Sequence, residues 1–190
     1  MPDDQTPSND DVYDDLSVPL DAVVRDATLL SLVLLFAPLI VYWFVYGFND
    51  FMSETFGLSF LLWMLPVLLI SIVIHEGLHA LGWIMLGGVR PSQVSFGFDR
   101  RNLAPYTHAD ADVRASAYRI AVALPGVLQG VIPTIIGLGI ANGPLTLYGA
   151  FMLSAAVGDM YVLWIIRHLN GAALVRDHPS QVGCMVRRDT

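Results

Sequence analysis

The residues of this chain best suited to chemistry are His75-Glu76-Gly77-Leu78-His79, an H-E-x-x-H pentapeptide inside a long apolar run. On a helix, positions i and i+4 lie about 6 Å apart on one face, so both imidazoles can reach one metal ion. Glu76 follows the first histidine directly, which sets its carboxylate beside the metal rather than on it. From there it can take a proton from an attacking water, as the general base of a metal-dependent hydrolase does. Leu58 to Leu86 contains no Asp, Lys or Arg, and its only Glu and His are these three. Ionisable groups in such a segment are costly, which weighs against a pair of idle core histidines.

The elements that must carry the pentapeptide are membrane helices. Of 190 residues 55% are hydrophobic and 14% charged, against about 25% charged in a soluble domain. Four apolar stretches, about 28–48, 58–86, 120–141 and 145–166, are each long enough to span a bilayer. Before them lies an acidic tail, residues 1–26, expected to be flexible, with a short amphipathic segment near Leu16 to Val24. Asn49 to Gly57 is expected as a short polar link, and 171–190 as a polar C-terminal tail. Within the loop 87–118, Val94, Phe96 and Phe98 alternate with Ser95 and Gly97, a strand-like period of two. Leu103 to Thr107 can return as a second strand, which makes a β-hairpin. The expected fold is therefore an all-α integral membrane protein, a four-span domain over 27–170 with a small hairpin between spans two and three.

All ten basic residues are Arg, and with four spans they fall on one side: Arg25, the loop arginines 90, 100, 101, 114 and 119, and the tail arginines 167, 176, 187 and 188. The positive-inside rule makes that side cytoplasmic, with both termini. A net charge of -7 argues against nucleic acid as a partner. Cys184 is the single cysteine, so no internal disulfide and no cysteine metal site is expected.

A catalytic zinc site needs a third protein ligand and an open position. Apart from Glu76, Asp159 is the only acidic residue in any expected span. His79 lies seven residues from the cytoplasmic end of span two and Asp159 seven from that end of span four. At 1.5 Å per residue both sit roughly 10 Å deep and can meet. Gly158 is expected to let another backbone come close. The competing role for Asp159 is a hydrogen bond to Gln129 or to a backbone group. His108 in the loop is a candidate substrate-side group or resting-state ligand; His168 and His178 read as interfacial, and Asp177 as a brace of the tail. The Gly126 to Gly130 spacing permits close helix contact.

The pentapeptide in an early span, the loop after it, Gly158-Asp159 in the last span, and the tail Val175-Arg176-Asp177-His178-Pro179-Ser180 with Gly183 together resemble the family named "putative zincin peptidase", small polytopic membrane proteins. The resemblance covers about residues 60–185. That family is in turn similar to site-2 proteases, which cut helices inside the bilayer. The resemblance implies one zinc ion on His75, His79 and Asp159, with Glu76 as base. It also implies a hairpin that holds an unwound substrate strand, which makes Val94, Phe96, Phe98 and His108 candidate substrate contacts. The Asp-Gly order of the site-2 protease motif is reversed here, as Gly158-Asp159-Met160.

The expected function is thus a zinc-dependent intramembrane metallopeptidase acting on a membrane-embedded or membrane-proximal protein or peptide, in a multi-pass protein of the cell membrane. A non-hydrolytic metal-binding membrane protein and a zincin-like scaffold remain the alternatives; the first would not need Glu76.

Overall fold

The apolar stretches fold as helices in the computed structural model, which describes residues 12–55, 58–100 and 104–188. Helix α1 runs over Leu20–Tyr46, and α2 over Phe48–Thr55. Helix α3 is Leu58–Gly87, and α4 is Ala115–Gly139 with a π-helical turn at Gly126–Val131. Helices α5 (Gly143–Ala155) and α6 (Val157–Ile165) follow, bent by 42° at Ala156. Among the described residues three helices are long and apolar enough to cross a membrane, or four if the bent pair is one span. Their outer faces carry large apolar side chains such as Phe44, 87% exposed, and Val73, 70% exposed, which suits lipid rather than water.

Three expectations change. Helix α1 begins at Leu20, before the expected Thr28, because Pro19 is extended and Asp21 falls in the first turn, where a carboxylate suits the helix dipole. Residues 12–26 are thus ordered structure rather than tail; residues 1–11 lie outside the described part. The expected link after span one is helix α2, which buries Phe51 against Tyr42 and Trp43. The fold is also not all-α. Strands β1 (Tyr13–Asp15), β4 (Val113–Arg114), β5 (Leu174–Asp177) and β6 (Cys184–Arg187) form an antiparallel sheet in the order β1-β6-β5-β4.

The expected hairpin is present as β2 (Val94–Asp99) and β3 (Ala104–Ala109), with Val94 opposite Ala109 and Phe98 opposite Pro105. Pro105 is tolerated because both strands of a lone hairpin are edges. Sheet and hairpin form a cap over one end of the helices. Its core joins Val113, Val175 and Cys184 to Trp83, Tyr118 and Ile166 of the helical part. An ionic network closes it: Arg176 reaches Asp112 at 2.9 Å and Asp110 at 3.3 Å, Arg187 reaches Asp112 at 3.2 Å, and the Tyr13 hydroxyl donates to Asp112 at 2.8 Å. Burial pushes the Asp112 carboxyl up, but the hydrogen bonds from Tyr13 and Arg176 outweigh it and hold the group below its ordinary range.

Candidate metal centre

Helix α3 carries His75 and His79 one turn apart, with ring centroids 5.0 Å apart and edge to face. Both Nε2 atoms face Asp159. That of His75 lies 3.1 Å from Oδ2, and that of His79 lies 3.3 Å from Oδ1. The bend at Ala156 makes this meeting possible, since it starts a new helix with Asp159 in its first turn. A carboxylate is favoured there by the helix dipole.

Helix α4 fixes the second histidine. His79 Nδ1 lies 3.0 Å from the Ala121 carbonyl oxygen. Gly82, one turn further along α3, allows this approach; a Cβ there would lie 2.7 Å from Ala121 Cα. A carbonyl only accepts, so Nδ1–H donates, and in the neutral ring Nε2 turns its lone pair toward Asp159. A lone pair facing a carboxylate is repulsive unless a cation sits between them. The chemistry of the donor set fits such a cation. A tetrahedral ion with bonds of about 2.0–2.1 Å keeps its ligand atoms about 3.3 Å apart. The separations here are 3.1 Å to Oδ2 and 3.3 Å to Oδ1, one to each carboxylate oxygen, and one ligand atom from each of the three residues lies within 4.8 Å of the others. Two imidazoles and a carboxylate form an N/N/O set suited to zinc.

His79, Asp159 and Glu76 line a cleft of about 710 Å³ between helices and cap. Its other walls are Phe98 to Arg100 and Pro105 to His108 from the hairpin, and the turn Asp177 to Gly183. The Thr107 hydroxyl donates to the Glu76 carbonyl oxygen at 3.1 Å, which ties β3 to the metal helix beside the candidate base.

The candidate residues do not all share this place. Phe98 lines the cleft, whereas Val94 packs into the core beneath the hairpin, and Phe96 is 63% exposed and away from the cleft. His108 lies on the cleft but pairs with Asp177, Nδ1 to Oδ2 at 3.4 Å, rather than joining the two histidines of α3. Gln129 donates to the Ser71 carbonyl at 3.0 Å, not to Asp159. A Cβ on Gly158 would meet nothing within 4 Å, so the expected close approach is absent; Gly130 makes one instead, against Leu153 Cα at 2.9 Å. His178 accepts from the N–H groups of Ser180 and Gln181 and so shapes the cleft-lining turn. Burial pushes the Cys184 thiol up to about 12, which keeps it protonated and unreactive.

The sequence reading missed Trp83 and Tyr118. Trp83 stacks on His79 at 5.9 Å and on Tyr118 at 6.0 Å between centroids. Its position four residues after His79 was a usable signal, because it shares the helix face of the two histidines. Nothing local marked Tyr118, whose hydroxyl partner is Asp177, 59 residues away.

An H-E-x-x-H helix, a carboxylate from a second helix and a glutamate on the same cleft match the residue pattern of a zincin-type metal centre among apolar helices. Residues 68–174, more than half of the chain, match the family described as "putative zincin peptidase". The chain belongs to that family. No curated protein and no solved structure matches it. The matched stretch holds His75, Glu76, His79 and Asp159 and leaves Asp177, β1 and β6 outside.

Proposed function

We propose that this protein is a zinc-dependent intramembrane metallopeptidase, similar to site-2 proteases, that cleaves a peptide bond in a membrane-embedded or membrane-proximal substrate. The observation that carries the reading is the convergence of His75, His79 and Asp159 from two helices, with Glu76 on the cleft beside them. Family membership supports the metallopeptidase class.

The chemistry that zinc supplies when bound is Lewis acidity, which lowers the pKa of water toward neutrality and polarises a carbonyl. His79 is held by Ala121, and Asp159 by the start of α6, so the ligand side chains are oriented in advance. Glu76 accepts the proton of the attacking water and returns it to the leaving amine. Its carbonyl is held by Thr107, so the hairpin and the base keep a fixed spacing. A helical substrate must unwind before its peptide bond can enter, because helical carbonyls are shielded by their own hydrogen bonds. The arginines on the cap side favour a cytoplasmic cap and cytoplasmic termini, so water reaches the cleft from the cytoplasm.

Elemental analysis of detergent-purified protein tests the reading. About one zinc per chain is expected in wild type and in Glu76→Gln, with loss in Asp159→Ala. Well-folded wild type that takes up no zinc after reconstitution would overturn it.

A further inference from the structure

The cleft contains a second polar cluster, apart from His79 and Asp159. Asp177 on β5 receives two groups. Its Oδ1 accepts the Tyr118 hydroxyl at 2.7 Å, and its Oδ2 faces His108 Nδ1 at 3.4 Å. Tyr118 is only 2% exposed, so one end of the chain of contacts is anchored in the core. All three residues line the cleft that also holds Glu76, His79 and Asp159. Thr107, bonded to the Glu76 carbonyl, fixes the separation. His108 follows Thr107 on β3, so its side chain leaves the opposite face of the strand, toward Asp177, and still lines the cleft.

Hydrogen-bond accounting orients the ring. A carboxylate only accepts, so His108 Nδ1 carries the proton that faces Asp177. Nε2 then has no partner among the described residues. The hydrogen bond that His108 donates to Asp177 raises its pKa; burial opposes it, Asp110 adds to it and Arg176 counters it. Near neutral pH the ring is therefore shifted toward the cation, with Nε2–H as a charged donor. Arg100 at the hairpin tip lines the same cleft and pairs with no carboxylate among the described residues.

The geometry points to a carboxylate-binding subsite: His108 Nε2–H, positioned by Asp177 and Tyr118, takes a carboxylate of the peptide lying in the cleft. This deepens the peptidase reading and rests on it, since it gives the substrate a carboxylate that lies in the same cleft as Glu76. The carboxylate belongs either to an Asp or Glu side chain or to a peptide C-terminus.

Full-length, zinc-loaded Glu76→Gln protein in detergent allows binding to be read without turnover. Three fluorescent hexapeptides serve as probes: an apolar sequence with one Glu and an amidated end, its Gln twin, and the Gln twin with a free C-terminus. Either carboxylate probe is expected to bind roughly tenfold tighter than the amidated Gln twin at pH 6.5, the size of one charge-assisted hydrogen bond. Which probe gains identifies the source of the carboxylate. Adding His108→Gln, which keeps an N–H toward Asp177 but no charge, is expected to bring the preference below about twofold with zinc content unchanged. Adding Tyr118→Phe is expected to weaken it less. In the parent protein the preference is expected to fall as pH rises through the titration of His108, whose charged and titratable neighbours are Asp177, Tyr118, Asp110 and Arg176.

Equal binding of the three probes, including no binding of any, overturns the subsite. So does a preference that survives His108→Gln, which would assign the carboxylate to the metal. Failure of the peptidase reading would appear separately, as absent zinc in wild type or absent hydrolysis, and would leave the binding comparison to stand on its own.

Discussion

The metal helix and the cap make opposite use of sequence. In α3 the two histidines and Glu76 lie within five consecutive residues, so helical spacing alone sets their relation. In the cap, Tyr13 pairs with Arg187 and Asp15 with Met185, contacts between opposite ends of the chain. The first region is specified locally and packed by α4. The second exists only when both termini arrive at the same edge. Chemistry and its enclosure are therefore separable: damage to α3 should remove the metal, and damage to the cap should leave it.

The largest effect expected is on Glu76. Glu76→Gln keeps the carbonyl that Thr107 binds and the three metal-facing groups, but removes the base. Turnover is expected to fall by about 10²–10⁴ with zinc content unchanged. Zinc analysis beside a cleavage assay on a membrane-anchored reporter checks this. Unchanged turnover would remove Glu76 as the base, whereas wild type that holds zinc and cleaves nothing would favour the non-hydrolytic metal-binding alternative.

Next comes the packing that holds the site. Gly82→Ala places a Cβ 2.7 Å from Ala121 Cα, so α3 and α4 must part, and the His79–Ala121 bond lies one turn away. A destabilisation of about 1–3 kcal/mol is expected, together with weaker zinc retention in a chelator competition. The counterpart in the cap is Gly183, which has φ of +125° and would set a Cβ 3.0 Å from Ser17 Cα. Gly183→Ala is expected to cost about 1–3 kcal/mol of local stability. It should loosen β1 from β6 and expose residues 178–188 to protease, while zinc content stays at the wild-type value. If Gly183→Ala loses zinc, the two regions are one cooperative unit and the separation fails.

What could be read in advance follows the same division. Asp159 was legible because, apart from Glu76, it is the only acidic residue in any expected span, and counting seven residues from each cytoplasmic end matched its depth to His79. The bend at Ala156 was not, since neither Pro nor Gly stands there. It arises where Gly126 of α4 lets Ala156 approach, with a Cβ on that glycine 3.3 Å from the alanine methyl. Alternation at Val94, Phe96 and Phe98 showed the hairpin, but period alone does not say which of these side chains meets the cleft. The terminal sheet left only a faint trace: acidic Asp14 and Asp15 at one end, Arg187 and Arg188 at the other. Arg188 does reach Asp14, at 2.7 Å. Strands of two to four residues carry too little alternation to be seen, and composition alone made the acidic segment look unstructured.

The smallest effect expected lies where the regions touch, at the pair His108 and Asp177. Folding raises the pKa of His108, chiefly through the Asp177 hydrogen bond. A group whose folded pKa lies above its unfolded value of about 6.5 gives its full stabilisation below that value and loses it as pH rises through the folded one. The pair is partly exposed, with side chains 21% and 15% accessible, so screening keeps the contribution modest. Hydrogen exchange at the β3 and β5 amides should therefore be slowest, relative to the intrinsic rate, below pH 6.5 and lose protection in more alkaline solution. Residues of α3 around His75 should show no matching change. In His108→Gln the pH dependence of β3 and β5 should flatten. If the same profile persists in that variant, a group other than His108 sets the pH dependence with which the hairpin is held to the sheet.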